Sequence, residues 1–557
     1  MTVYDLKSLE LPRLYGTPLN LFAAALRNPV GRSLLIGSLL ESGGITKLRA
    51  MDLFETPTGS PLRPARIPAT GCVELPELDG AAPHTRNVPY TTIRDYASAY
   101  RAGETTPEQV AGKILAAVEN DRGQEIPLNA FVLMNREDLY AQARASTARW
   151  QAGRPISPLD GAPIAVKDEI DQSPYPTNVG TSFLGKSPRP DATLVGRLRA
   201  LGALLIGKTT MREIGINPNG ENLNHGRIAN PYNPRCDPGG SSSGSAAAVA
   251  AGFCPAAIGA DGGGSIRIPA GLCGVVGLKA TYGRVSEKGA APLCWSVAHN
   301  GPLTASVEDA ALVYAAIAGP DPADPNSLVQ PAVILEGWNN PDLRGLKAGV
   351  YREWFRHASP EVVQANEQLL EKLSRAGLEI VEAEIPGLDA LRIAHAVTIL
   401  NEMAVCMQPY EAEFTSFSPS TQVSLILGKV FSGCDYLKAQ QVRTRAMRTF
   451  DEIFGRVDVL LTPATGMTAP LVPQQALSRG WSDLAVDTEV MRFVYPANMT
   501  GHPAISFPAG YSQAGLPIGM QAMGRHWEEQ VLLRVAYAAE EIVERRRPAN
   551  FYPILES

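Results

Sequence analysis

The sequence predicts an α/β fold in which a β-sheet is covered on both faces by helices, and three observations predict it. Between about residues 160 and 310, strand-like and helical runs alternate over short connections. "GAPIAV" reads as a strand, "TLVGRLRALG" as a helix, "ALLIG" as a strand, "SAAAVAAG" as a helix, "PAAIGA" and "VVGLKA" as strands. Such alternation builds a sheet buried on both sides. The strand pattern then returns at "VDVLLTPA", "PAISFPAG" and "PIGMQAMG". Finally, 557 residues that are 45% hydrophobic and 19% charged can bury a large core and are not those of a disordered chain.

Taken in order, residues 1–85 read as an N-terminal helical extension and connector, and residues 86–557 as the main domain. In the extension, "LNLFAAALRNP" and "SLLIGSLLESGG" are short apolar helix candidates broken by Pro29 and by Gly43-Gly44. The proline-rich "ETPTGSPLRPARIP" is a connector that hugs the surface. "TTPEQVAGKILAAVEND" opens with a threonine cap and Pro107 in its first turn, which marks a helix start. Residues 340–450 carry more charge and a helical pattern, read as a cap or insertion. "EEQVLLRVAYAAEEIVERR" forms the last helix, ending before Pro548.

Composition also excludes. A net charge of -6 argues against a broad nucleic-acid-binding surface. The seven cysteines, at 72, 236, 254, 273, 294, 406 and 434, form no C-x-x-C pair, the pattern of reduced thiols in a cytoplasmic protein. The opening "MTVYDLKSLELPRLYG" mixes charged and apolar residues, unlike a signal peptide. The longest run without a charged residue or histidine is Pro238 to Ala260; its apolar part, from Ala246, would cover roughly 22 Å as a helix, short of the ~30 Å hydrocarbon core.

Two glycine-serine clusters concentrate the chemistry. "PGGSSSGSAAAVAAG" (238–252) has the composition of a flexible linker, yet it feeds an all-small helix and then the wholly apolar "CPAAIGA". A linker has nothing of that kind to bury. "GSSSG" also matches a G-x-S-x-G elbow centred on Ser242, but that motif needs a strand before it, and "NPYNPRCDPG" contains three prolines. No phosphate-binding G-x-x-x-x-G-K-[ST] occurs. The second cluster, "GADGGGSIR", follows a strand and precedes a helix. Three glycines before Ser265 allow backbone N–H groups to approach a reacting carbonyl oxygen; a tight structural turn is the simpler alternative. No S-x-x-K is present, and the seven histidines are isolated. Lys167, in "DGAPIAVKDEID", ends an apolar strand beside Asp168 and Glu169. A dehydrated lysine can accept a proton, whereas most lysines are surface charges.

Together these segments resemble the amidase signature family of serine amidohydrolases. The resemblance rests on "GGSSSGSAAAVAAGFCPAAIGADGGGSIRIPAGLCGVVGLKATYGRVS", "GAPIAVKDEID", "GKTTMREIG", "NPYNP", "VDVLLTPA" and "NMTGHPAISFPAGYSQAGLPIGMQAMGR", in family order over about 90–545. It implies a large mixed, twisted sheet with helices on both faces. It implies a catalytic set in which Ser265 is the nucleophile, Ser241 the bridging serine behind a cis Gly240–Ser241 peptide, and Lys167 the base. The oxyanion would be held around Gly262, Gly263, Gly264 and Ser265. Ser242 would support the relay, Asp261 and Arg267 would flank it or form an ordinary structural ion pair, and the turn at Ile214, Gly215 and Ile216 would line the acyl side. No metal or organic cofactor is implied.

Within the family, "LYGTPLNLFAAALRNPVGRSLLIGSLLESGGITKL" is similar to the N-terminal helices of plant-type fatty acid amide hydrolases. That branch implies hydrolysis of N-acylethanolamines and related fatty acid amides, a homodimer, and peripheral contact with membranes. The amidotransferase subunit that acts on mischarged tRNA usually has glutamine where Ile268 stands, so Ile268 favours a lipid-like acyl group. The alternatives left open are a broad amidase for short or aryl amides and the amidotransferase subunit.

Overall fold

A computed structural model describes residues 4–9, 13–65, 75, 88–477 and 480–556. Its centre is an eleven-stranded mixed sheet. The strands run in the order Phe131–Leu133, Leu204–Thr209, Pro163–Lys167, Ala256–Ala260, Asn300–Thr304, Val276–Lys279, Ala504–Tyr511, Pro517–Gly524, Val459–Pro463, Lys347–Val350, Glu379–Glu382. Pro163–Lys167 pairs in parallel with Leu204–Thr209 and Ala256–Ala260, whereas the strands from Ala256–Ala260 through to Val459–Pro463 pair antiparallel. Every run read as a strand from the sequence is an internal strand of this sheet, and both runs read as helices between 160 and 310 are helical.

The alternation of side chains along a strand divides the core in two. Ile164 and Val166 join Ile258, Leu278, Phe507 and Met520 in a cluster with the helices Thr193–Ala200, Val307–Ile317, Pro360–Arg375 and Glu529–Ile542. Ala165 and Ala257 point the other way, toward Ala246 to Ala251. Small strand residues thus meet a small-residue helix, Ser243–Ala250, every residue of which is buried. Gly244 shows how close the approach is: a Cβ there would lie 2.4 Å from Thr210 O and 2.5 Å from Ala130 O.

Residues 340–450 differ from the cap reading. They begin with Lys347–Val350 and Glu379–Glu382, which extend the main sheet in parallel pairing; the charged ends of the outer strand suit a sheet edge. The helix Pro360–Arg375 lies between these two strands, and the helices Leu388–Cys406, Pro419–Val430 and Gly433–Phe454 follow them. The segment thus contributes two strands to the sheet as well as helices.

The extension is tied to the body. Arg13–Tyr15 pairs antiparallel with Trp481–Asp483. Helix Gly16–Arg27 buries Leu19, Ala23 and Leu26 against Val423 and Ile426. Pro29, read as a breaker, opens the next helix, Pro29–Ser42, because Asn28 accepts from the N–H groups of Val30 and Gly31; proline has no N–H to lose in a first turn. Residues 58–65 run along Gly433–Phe454, with Arg443 donating to Gly59 O at 2.8 Å. Cys72 and the boundary read at 85/86 lie outside the described residues.

Candidate active site

Lys167 is the last residue of its strand and shares the face of Ala165, so its side chain enters the same side as the helix Ser243–Ala250. It is buried, and its Nζ has three partners: Ser241 Oγ at 2.9 Å, Ala260 O at 3.3 Å and Glu169 Oε2 at 2.7 Å. The two acidic neighbours divide. Asp168 faces Lys208 at 3.5 Å, while Glu169 faces Lys167.

The Gly240–Ser241 peptide is cis. Glycine is needed there, since a Cβ on Gly240 would lie 2.3 Å from Asn219 O. Ser242 is fully buried and donates to Ala260 O at 3.1 Å, the carbonyl that also receives Lys167. Its N–H donates to Ser265 O at 3.2 Å. The two serine-bearing loops are joined directly through that backbone bond. Arg212 N–H donates to Ser241 O at 3.2 Å. Beyond Arg212, a Cβ on Gly215 would come 3.2 Å from Ser241 Oγ, and Gly215 has φ +69°. Gly215 therefore borders Ser241, with buried Ile214 and Ile216 on either side.

Each glycine of the second cluster is pressed by a side chain. A Cβ would meet Cys294 Sγ at 2.6 Å on Gly262, His395 Cε1 at 2.6 Å on Gly263, and Val494 Cγ2 at 2.4 Å on Gly264, whose φ is +111°. The N–H of Gly264 is committed to Asp261 Oδ1 at 2.7 Å. Among the described residues no acceptor takes the N–H of Gly262, Gly263 or Ser265, which narrows the open donors to those three. Ser265 is half-buried, in contrast to buried Ser241 and Lys167.

Asp261 and Arg267 form a fully buried ion pair with two contacts of 3.0 Å. Asp261 also accepts from Ile266 N–H at 3.1 Å and Asn498 Nδ2 at 2.9 Å. Burial alone would raise its carboxyl; the Arg267 guanidinium and the Asn498 amide override that and hold it far below the usual range. Arg267 donates further to Asn498 Oδ1 at 2.7 Å and Gln521 Oε1 at 2.6 Å. The pair braces the glycine loop from behind.

Sequence reasoning gave no role to Asn498, Gln521, Glu169 or His395. His395 Nε2 donates to Gly262 O at 2.9 Å, and burial pulls the ring down to about 4, so it is neutral. Asn498 and Gln521 stand in segments that carry the family resemblance, but only the fold brings them to Arg267. Ile268 is fully buried beside Gly239 and Gly264, in a cluster with Leu272 and Val494. Packing accounts for its apolar side chain. Asp451, His502 and His526 have ligand-type atoms within 4.8 Å of one another, but Arg63 pairs with Asp451 and already supplies a cation.

Residues 121–533 match the family described as Amidase. The chain is 41% identical to a fatty acid amide hydrolase of Oryza sativa subsp. indica, across 100% of this chain and 97% of that protein. It is 36% identical to a glutamyl-tRNA(Gln) amidotransferase subunit of Chloroflexus aggregans, across 82% of this chain and 98% of that one. The native peptide amidase of Stenotrophomonas maltophilia superposes with a TM-score of 0.70 at 30% identity, covering 84% of this chain and 100% of that structure. The chain belongs to the amidase family and is a hydrolase of amide bonds.

Proposed function

We propose that this protein hydrolyses fatty acid amides such as N-acylethanolamines, with Ser265 as nucleophile, Ser241 as bridging serine and Lys167 as base. The observation that carries the catalytic part is the contact of buried Lys167 with Ser241 at 2.9 Å, on a loop bonded to Ser265. A neutral Lys167 takes the Ser241 hydroxyl proton, Ser241 takes that of Ser265, and Ser265 Oγ bonds to the amide carbon. The open N–H groups of Gly262, Gly263 and Ser265 receive the oxyanion. The relay returns the proton to the nitrogen as the C–N bond breaks, and water then cleaves the acyl ester.

The lipid-like acyl group is supported by two features. The rice fatty acid amide hydrolase aligns through the extension, while the amidotransferase protein covers 82% of the chain. Leu6 of the extension also lines a cavity of about 90 Å³ with His395, Ala396, Met491 and Tyr495, and His395 and Met491 are the side chains nearest Gly263. The extension thus reaches the wall behind the glycine loop. Exposed apolar residues on its helices, Leu21, Val30 and Leu34, suit a homodimer or a membrane-facing entrance.

A substrate panel from acetamide to long-chain acylethanolamides tests the reading. kcat/KM is expected to climb with chain length, since each buried CH₂ contributes about 0.8 kcal/mol. Highest activity on short or aryl amides would favour the broad amidase instead. Ser265→Ala should abolish turnover and fluorophosphonate labelling in a folded protein; retained labelling would move the nucleophile elsewhere.

A further inference from the structure

Lys167 Nζ has three partners, but a neutral amine has only two protons. A charged Nζ can donate to Glu169, Ala260 O and Ser241 Oγ together. A neutral Nζ donates to two of these, and the third contact must reverse, with its partner donating to the nitrogen lone pair. Neither a carboxylate nor a carbonyl oxygen can donate; the Ser241 hydroxyl can. Glu169 and Ala260 O therefore hold the two protons and leave the lone pair aimed at Ser241.

We propose that Glu169 is a positioning residue for the base, orienting the Lys167 lone pair toward Ser241 and stabilising the ammonium that forms when Lys167 takes the relay proton. This rests on the assignment of Lys167, Ser241 and Ser265 given above. The role is that of a carboxylate behind a histidine base, here filled by a residue two positions along the chain.

Glu169 is the acid that pairs with Lys167. Asp168 is turned to Lys208 on the neighbouring strand. Half-buried Glu287, from the segment after Val276–Lys279, is pushed up to about 8 by desolvation, with Glu169 adding to the rise. The Cys294 thiol is raised well above its ordinary value by burial, with Glu402, Glu169 and Glu287 contributing. Neither of them is among the partners of Lys167 Nζ.

The consequence has a definite sign. A carboxylate within about 4–6 Å favours the charged form of a lysine, typically by about 1–3 pH units. Removing its charge makes neutral Lys167 available at lower pH but leaves a weaker base. The test is the pH dependence of second-order inactivation by a fluorophosphonate probe, which needs no knowledge of the natural substrate, for the parent, Glu169→Gln, Glu169→Asp and Lys167→Ala. The acid limb should fall by about 1–3 pH units in Glu169→Gln, with a lower alkaline plateau, and by less in Glu169→Asp. A limb that stays in place in Glu169→Gln, while Lys167→Ala is unreactive, overturns the role of Glu169 alone. If Glu169→Gln does not fold, an unmoved limb in Glu169→Asp does the same. Parental reactivity in Lys167→Ala would instead overturn the underlying catalytic assignment.

Discussion

Arg267 sits at the base of the glycine loop with every side of its guanidinium in use: Asp261, Asn498, Gln521 and the carbonyl of Val494. Removing one member of a buried pair leaves the other charge without compensation, an effect of about 3–5 kcal/mol. Arg267→Ala is therefore expected to lose about that much stability in urea unfolding, and to lose activity even where it remains folded, because Asp261 no longer fixes Gly264 and Ile266. A loss below about 1 kcal/mol, the size of an ordinary substitution, would show that Asp261 and Arg267 are not a brace. The flanking positions of these two residues were legible in "GADGGGSIR", but their partners were not. Asn498 and Gln521 lie more than two hundred residues away in sequence, and no local pattern distinguishes a buried amide that supports an arginine from one that supports a turn.

At the scale of the element, the helix Ser243–Ala250 decides how the site is seated. It starts two residues after Ser241, and Ser245 Oγ donates to Ile258 O at 3.1 Å, fastening it to the strand that leads to Asp261. With Ala165 and Ala257 opposite, the helix packs closely through small side chains. Ala247→Leu is expected to destabilise by about 1–3 kcal/mol through overpacking and to lower kcat, since the displaced helix carries Ser241 with it. Unchanged kcat in a destabilised variant would uncouple the two. The all-small face was plain in the sequence, and its reason is the period-2 alternation of the strands beneath it. The last two strands of the sheet, Lys347–Val350 and Glu379–Glu382, were not plain. They are short, and their place in the sheet depends on the pairing of Lys347–Val350 with Val459–Pro463 far along the chain, on which Glu379–Glu382 then adds.

For the whole molecule, pH acts in two opposing directions. His395 is brought down to about 4, and His526 to about 3, both chiefly by burial. The unfolded chain takes up protons below about 6.5 while these folded rings do not, so their contribution is complete above that pH and lost as pH falls. Buried Asp487 goes the other way, pushed up to about 7 by burial: its contribution is present below the unfolded carboxyl value and lost as pH rises through 7. Urea unfolding at pH 5 and pH 8 separates the two. Relative to the parent, His395→Gln should recover about 1–3 kcal/mol at pH 5, and Asp487→Asn a similar amount at pH 8. The same shift at both pH values would mean that neither group titrates differently on folding.

Self-association is also a property of the whole chain. Leu34 is 79% exposed and Val30 71% exposed on the second helix of the extension, whereas Leu19 and Leu26 of the first are buried on the body. Replacing Leu21, Val30 and Leu34 together by serine should leave the thermal midpoint nearly unchanged and shift a dimer toward monomer in sedimentation. A parental assembly state would remove these residues from the interface.

The sequence by itself determined the α/β class and the main strands and helices, because each is written locally, in strand periodicity and in an all-small helix; Lys167, Ser241 and Ser265 were singled out by the family resemblance of the segments that carry them. Only the tertiary structure decided which of two adjacent acids faces Lys167, which amides hold Arg267, that residues 340–450 supply two strands of the sheet, and how the first two extension helices divide between buried and exposed. Those outcomes depend on contacts between segments tens to hundreds of residues apart. Side-chain direction and burial there follow from how the layers meet, and chain order carries no record of that.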